Sequence, residues 1–214
     1  MPTLSETASK ALLARHGVPF PDERVVPSAE AAVEAAEALG YPVAIKLGGD
    51  AIAHKTERGL VRLGIGSAEQ AREAAEALLS AARPEDGDVH LLVAPMLRGN
   101  RELIAGLHHD PQFGMTVMLG VGGVLAEAIA DVAFRLVPIA PVDAQEMIDD
   151  LRTRALLGEF RGEPAVDREA LADVLLGLSH AAEDEASLVS ADLNPLIVVK
   201  GKPVAVDALV EVAG

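Results

Sequence analysis

The sequence contains no cysteine and no tryptophan, and only one tyrosine and four phenylalanines. Without a thiol, disulfide cross-links and thiolate chemistry are excluded, which fits a cytoplasmic protein. With so few aromatic rings, the stacking platforms that bind single-stranded nucleic acid are missing. No apolar run reaches the roughly 20 residues needed to cross a bilayer. The opening Met-Pro-Thr-Leu-Ser-Glu lacks the basic and apolar regions of a signal peptide. Positive charge is also scarce, with 18 Lys and Arg against 33 Asp and Glu, a net charge of −15. That balance argues against a nucleic-acid or anionic-membrane surface. It also repels a nucleotide at long range, so any phosphate site must be locally basic or use a metal.

Half of the 214 residues are apolar, enough for one large domain or two small lobes. Helical periodicity runs over Ser5–His16 and stops at Gly17. Ser28 caps a second helix that ends at Gly40. A strand is expected at 42–47, a polar loop around His54, and a strand at 61–65. Ser67 and Gln70 form a capping box that opens a helix to about residue 82, and a strand follows at 90–96. Gly99-Asn100 is a turn signal. Beyond it come strands from Arg101 to His108, at 116–119, 124–129 and 132–138. Asp143 and Glu146 read as a second capping box, Asp167 caps a last helix, and two strands near 187–200 and 203–209 close the chain. This order is α+β with two lobes, the boundary falling near Ala94 to Gly99.

The stretch Pro42 to Val61 stands out. An apolar strand carries Lys46, one of only five lysines, followed by Gly48-Gly49 and a loop with His54 and Lys55. A lysine inside an apolar strand costs free energy unless its charge meets a partner. A fixed cation beside a glycine turn and a loop histidine suits a polyphosphate with a nucleophile nearby. A lysine snorkelling from an edge strand beside a solvated histidine gives the same pattern.

The closing hairpin carries a second constellation. Asp192 and Asn194 are two apart and share a strand face. A turn centred on Lys200-Gly201 pairs 199 with 202, and counting outward brings Asn194 opposite Asp207. Opposed residues have Cβ atoms about 4.5–5.5 Å apart, so Asp192, Asn194 and Asp207 form an oxygen-only set suited to magnesium with a phosphate completing the shell. The polar face of an exposed hairpin is the alternative. Gly120-Val-Gly-Gly123 lacks the third glycine of a dinucleotide fingerprint and reads as a tight turn. His108-His109-Asp110 looks metal-like, but neighbours on a strand point to opposite faces. No motif surrounds His16, His90 or His180, which read as surface or core residues. Glu102 and Glu127 each fit a functional or a solvent-facing role.

Val-Ala-Ile-Lys46, His54-Lys-Thr, Arg101-Glu102-Leu-Ile-Ala-Gly, Asp110-Pro-Gln-Phe-Gly114, Gly122-Gly123, Phe134-Arg135 and Asp192-Leu-Asn194-Pro-Leu occur in one order. Together they resemble the ATP-grasp domain of ADP-forming acyl-CoA synthetases, such as ADP-forming acetate–CoA ligase, over nearly the whole chain. The resemblance implies an ATP-grasp fold with lobes at 1–93 and 94–214 and the nucleotide between them. It implies ATP/ADP and Mg2+ as cofactors and a CoA-binding alpha subunit as partner in a hetero-oligomer. The family reaction interconverts acyl-CoA, ADP and phosphate with acid, CoA and ATP, through an acyl-phosphate and a phosphorylated histidine on the partner. Carried over by position, Lys46 would hold ATP phosphates and His54 would be the loop-borne phosphoryl carrier. Asn194 and Asp207 would bind magnesium, Asp192 would approach the phosphoryl group or a metal, and Glu102 would serve the nucleotide site. The sequence departs from the family at Ala94-Pro95, where polar side chains are usual, so base recognition would rest on backbone groups. It departs again at Arg58 and Leu60 after the His54 loop. Without a CoA-binding portion, the chain alone is not expected to complete the reaction. Another ATP-grasp carboxylate ligase, which would not need His54, and a non-catalytic nucleotide-binding subunit are the rival readings.

Overall fold

The computed structural model describes residues 2–49, 52, 58–123 and 129–214. His54, Lys55, Glu127 and most of the strand expected at 124–129 lie outside the described residues. The helices are α1 (Glu6–Arg15), α2 (Ala29–Leu39), α3 (Ala68–Ser80), α4 (Pro141–Asp150) and α5 (Arg168–Asp184). The strands are β1 (Arg24–Val26), β2 (Val43–Gly49), β3 (Val61–Ile65), β4 (Val89–Pro95), β5 (Glu102–Asp110), β6 (Gly114–Val121), β7 (Val132–Leu136), β8 (Leu188–Val199), β9 (Lys202–Ala205) and β10 (Leu209–Val212).

The chain divides into two units, Pro21–Met96 and Met1–Phe20 with Leu97–Gly214. The smaller one is an antiparallel sheet in the order β1-β4-β2-β3. Helices α2 and α3 cover one face of it, their Ala32, Ala36, Ala71 and Ala75 buried with Val43, Ile45, Leu47, Leu91 and Val93. Alanine at these positions lets helix backbones pack closely and costs little side-chain entropy on burial. Ser28 and Ser67 accept the N–H groups of Ala31 and Gln70, capping both helices. Gly40 closes α2 with φ +84°, a conformation that favours glycine.

The larger unit is an antiparallel sheet, β10-β8-β5-β6-β7, with β9 also paired to β8. Its core is formed with α1, α4 and α5, and includes Leu13, Met147, Ile148, Leu171 and Leu175. Burying each such side chain contributes about 1.5–3 kcal/mol. Helix α1 belongs here although it opens the chain. Leu12, Leu13 and Val18 enter this core, and Ser9 accepts the N–H of Val210. The division therefore differs from a linear one at residue 93, because an amphipathic pattern specifies that a helix docks but not where.

Three local differences from the sequence reading have simple causes. Strand β1 was not expected, its three residues being too few for a periodic signal. Helix α4 starts at Pro141 and not after Asp143, since proline presets φ for the first helical position. The Asp143 carboxylate reaches back to the Ala140 N–H at 2.7 Å. The closing strand is split into β9 and β10 around Val206–Ala208.

Two buried carboxylates tie segments together. Asp86 accepts both guanidinium nitrogens of Arg58 at 2.7 and 2.8 Å, and the Arg83 N–H at 2.8 Å. The Arg58 bonds and then the Arg83 N–H hold its pKa at about 2. Burial works to raise the pKa of Asp131, but bonds from the Thr153 hydroxyl and from the Thr153 and Arg152 N–H groups outweigh it and hold it at about 2.

A folded pKa below the ordinary 3.8 means that the unfolded chain takes up the proton first as pH falls. The stabilisation is complete above about pH 4 and lost between there and about pH 2. Urea midpoints should therefore be flat from pH 7 to 5 and fall below it. Asp131→Asn should cost about 1–3 kcal/mol at pH 7, because buried donors lose their charged acceptor, and should make the acid-side fall shallower.

Candidate active site

Strand β8 positions the candidate ligands by alternation. Leu188, Ala191, Leu193, Leu196 and Val198 are buried in the core, whereas Asp192 and Asn194 are exposed on the other face. Neighbouring β5 does the same, burying Leu103, Ala105 and Leu107 and exposing Glu102 and His108. Gly106 pairs with Asp192, so the two rows share one open sheet face. Between Leu103 and Ala105 the register shifts, and Asn194 with Pro195 stands opposite the single residue Ile104. This is a β-bulge, a device that re-aims side chains and tolerates a residue without an N–H.

The far edge of β8 is shared end to end by β9 and β10. Val199 pairs with Lys202 and Leu196 with Ala205, then Asp192 pairs with Leu209. The same count runs through both strands, so Asn194 stands level with Asp207 in the interruption between them. Within it, the Val206 N–H still bonds to the Pro195 carbonyl at 3.0 Å. Asp207 is half-buried, and its Oδ1 accepts the Ala208 N–H at 2.9 Å. The pKa of Asp192 is raised, first by the loss of water around its carboxyl and second by the negative charge of Asp207.

Two carboxylates held close enough for the charge of Asp207 to make ionisation of Asp192 harder, with the Asn194 amide nearby, match a hard divalent cation, which relieves that repulsion. Among the described residues no three His, Cys, Asp or Glu side chains cluster closely enough to hold a metal alone. A cation here would draw its remaining ligands from phosphate and water.

Glu102 lies on the same open face, beside Gly122 and Gly123. The Gly122 N–H donates to the Glu102 carbonyl at 2.8 Å. A Cβ on Gly122 would stand 3.0 Å from the Leu103 carbonyl oxygen, and Gly123 adopts φ +82°. The paired glycines thus make a close backbone approach next to the Glu102 carboxylate. The motif neighbours of these residues serve the scaffold. Arg101 is 5 % exposed and donates to the carbonyls of Gly158 and Pro164. Arg135 pairs with Asp150 at 2.7 Å, tying β7 to α4. In His108-His109-Asp110, the Asp110 carboxylate accepts the N–H groups of Gln112 and Phe113 and shapes the β5–β6 turn.

In the smaller unit, Val43, Ile45 and Leu47 face the helices and Lys46 faces the opposite way, 7 % exposed. Lys46 pairs with Leu92 on β4, and Gly48 with His90. A Cβ on Gly48 would come within 2.5 Å of His90 Nε2, so the imidazole lies across the glycine. His90 thus shares the Lys46 face, a placement that only the β2–β4 register reveals. Gly49 approaches the carbonyls of Asp88 and Asp86 in the same way.

The structure therefore brings Asp192, Asn194 and Asp207 together, sets Glu102 on their sheet face, and presents Lys46 on the other unit.

A two-unit α+β chain with an oxygen-rich sheet face in one unit and a strand lysine in the other defines a class, and the match is direct: residues 2–212 fit the ATP-grasp domain model. The chain belongs to the ATP-grasp family. It is 38% identical over 215 residues to the acetate–CoA ligase [ADP-forming] II subunit beta of Pyrococcus furiosus, covering 98% of this chain and 91% of that one. Its fold matches Ca. Korarchaeum cryptofilum dinucleotide-forming acetyl-coenzyme A synthetase 1 in complex with coenzyme A, Ca-AMPCP and HgCl+. That match has a TM-score of 0.89 and 32% identity, over 99% of this chain and 94% of that one. A second structure of that synthetase holds coenzyme A and Mg-AMPPCP, its phosphohistidine segment pointing towards the nucleotide binding site. It matches with a TM-score of 0.82 and 33% identity, over 97% of this chain and 92% of that one. Among the described residues no helix is long and apolar enough to cross a membrane.

A carboxyl whose folded pKa is raised opposes folding once it is ionised. Asp192→Asn should therefore raise the melting temperature of the metal-free chain, by no more than about 3 °C. A fall in melting temperature would show that Asp192 stabilises the fold.

Proposed function

We propose that this chain is the nucleotide-handling, beta-type part of an ADP-forming acyl-CoA synthetase. It transfers a phosphoryl group between ATP/ADP and a histidine relay, and a CoA-binding alpha partner couples that transfer to acyl-CoA formation or cleavage. The observation that carries this reading is the mutually repelling Asp192–Asp207 pair with Asn194 on an open sheet face, in a chain that matches acetate–CoA ligase beta subunits almost end to end.

Lys46 holds nucleotide phosphates through its fixed charge, and Glu102 lines the nucleotide site. Asp192, Asn194 and Asp207 supply oxygen ligands to magnesium, which when bound offsets charge on the phosphates. His54 is the phosphoryl carrier. A neutral ring nitrogen of His54 forms a bond to phosphorus as the bond to the partner's phosphorylated histidine breaks. In the second transfer a terminal oxygen of ADP bonds to that phosphorus, the His54 bond breaks, and ATP results. Each step is mainly positioning and charge compensation.

Calorimetry should detect ADP and ATP binding that requires magnesium. Asp207→Ala should weaken it at least about tenfold, or 1.4 kcal/mol, while the fold is retained. Metal-independent binding, or none by the folded protein, would refute the reading.

His54→Ala separates the carrier role from simple binding. It should keep nucleotide affinity within about tenfold and abolish phosphoryl exchange between ATP and the alpha partner. The purified chain alone should make no acyl-CoA from acid, CoA and ATP, and should do so once the partner is added.

A further inference from the structure

We propose that His90 is a second phosphate ligand, closing on the same polyphosphate that Lys46 holds. This rests on the magnesium-nucleotide reading above and extends it to a residue that the sequence pattern left without a role. The argument begins with the register. Lys46 is opposite Leu92 and Gly48 is opposite His90, so Lys46 and His90 form a diagonal pair across two hydrogen-bonded strands. Diagonal pairs lie roughly 7–8 Å apart at their Cα atoms, within reach of long side chains. Both residues point away from the helix-covered core, which takes Ile45, Leu47, Leu91 and Val93.

The contact at Gly48 fixes the direction of the ring. The Nε2, Cδ2 and Cε1 atoms of His90 lie 2.5, 3.0 and 3.1 Å from where a Cβ of residue 48 would stand. That Cβ position is on the Lys46 face, because residues two apart on a strand share a face. The imidazole edge therefore occupies the space beside Lys46 that any larger residue at 48 would fill. Around them, Ala44, Leu92 and Ala94 add no polar side chain on these two strands. Lys46 is 7 % exposed, while His90 is half-buried.

Charge supplies the reason for two donors. The chain carries a net charge of −15, so a polyphosphate is repelled at long range and must be met by donors gathered at one spot. Lysine provides a compact charge, and the imidazole adds a directional N–H in either protonation state.

The experiment compares His90→Leu, which fills the space without a donor, His90→Gln, which restores a side-chain N–H, and Lys46→Ala. Each is titrated with Mg-ADP by calorimetry, and adenosine is measured by competition against Mg-ADP. For His90→Leu, Mg-ADP affinity should fall about tenfold with adenosine affinity within about twofold, and His90→Gln should recover at least half of the loss. Normal Mg-ADP binding by His90→Leu, with binding lost in Lys46→Ala, would overturn the role of His90 and leave the nucleotide site standing. An equal loss for adenosine and Mg-ADP, or no recovery in His90→Gln, would make His90 a packing residue and overturn it as well. Absence of Mg-ADP binding by the unaltered chain would overturn the underlying site and this inference with it.

Discussion

The interaction on which the rest of this structure turns is a repulsion. Asp192 and Asp207 stand near enough for one charge to raise the pKa of the other. Their like charges do not favour that arrangement. It persists because the opposite face of β8 is buried in the largest core of the molecule, through Leu193, Leu196 and Ala191, with Ala208 and Val210 beside them. Strand pairing holds Asp192, and the Val206 N–H bond to the Pro195 carbonyl, with the Ala208 N–H bond to the Asp207 carboxylate, holds Asp207. A one-residue slip would put Leu193 in water and Asp192 in the core, so burial specifies the register strongly. The sheet thereby holds two like charges close together, which is the feature the proposed magnesium site uses.

The same alternation explains why short motifs in this chain mix different kinds of residue. Arg101 and Glu102 are adjacent in sequence but face opposite sides of β5. Arg101 turns inward and holds the carbonyls of Gly158 and Pro164, while Glu102 turns outward beside Gly123. Phe134 and Arg135 repeat the pattern on β7, with Phe134 51% exposed and Arg135 bonded to Asp150. One member of each pair maintains the scaffold and the other shapes the open face. A substitution at Arg101 or Arg135 would thus disturb the site through the backbone.

In the smaller unit, glycine performs a comparable service. Gly48 gives its side-chain space to the His90 ring, and Gly49 lets the backbone approach the carbonyls of Asp86 and Asp88. Asp86 in turn holds Arg58, the first described residue after the His54 segment. A buried bidentate arginine–carboxylate pair fixes geometry strongly. Arg58 is therefore anchored to the turn that leads into β4.

Much of this was legible in the sequence because it depends on local chemistry. Serine caps at 28 and 67, glycine stops at 17 and 40, and the alternation of β8 are short-range rules that tertiary packing did not override. The hairpin count that set Asn194 level with Asp207 needed only a turn and a period of two. Where a helix docks, which distant strands pair and what a bulge re-aims are long-range matters. Helix α1 joined the unit formed mainly by residues 97–214, β1 found β4, and Asn194-Pro195 bulged opposite Ile104, each a pairing between segments far apart along the chain. The sequence by itself determined which strand faces the candidate residues occupy, since period and turn type are local. Only the tertiary structure decided that His90 lies across Gly48 beside Lys46, because that neighbourhood exists only once β2 and β4, some 40 residues apart, are held in register.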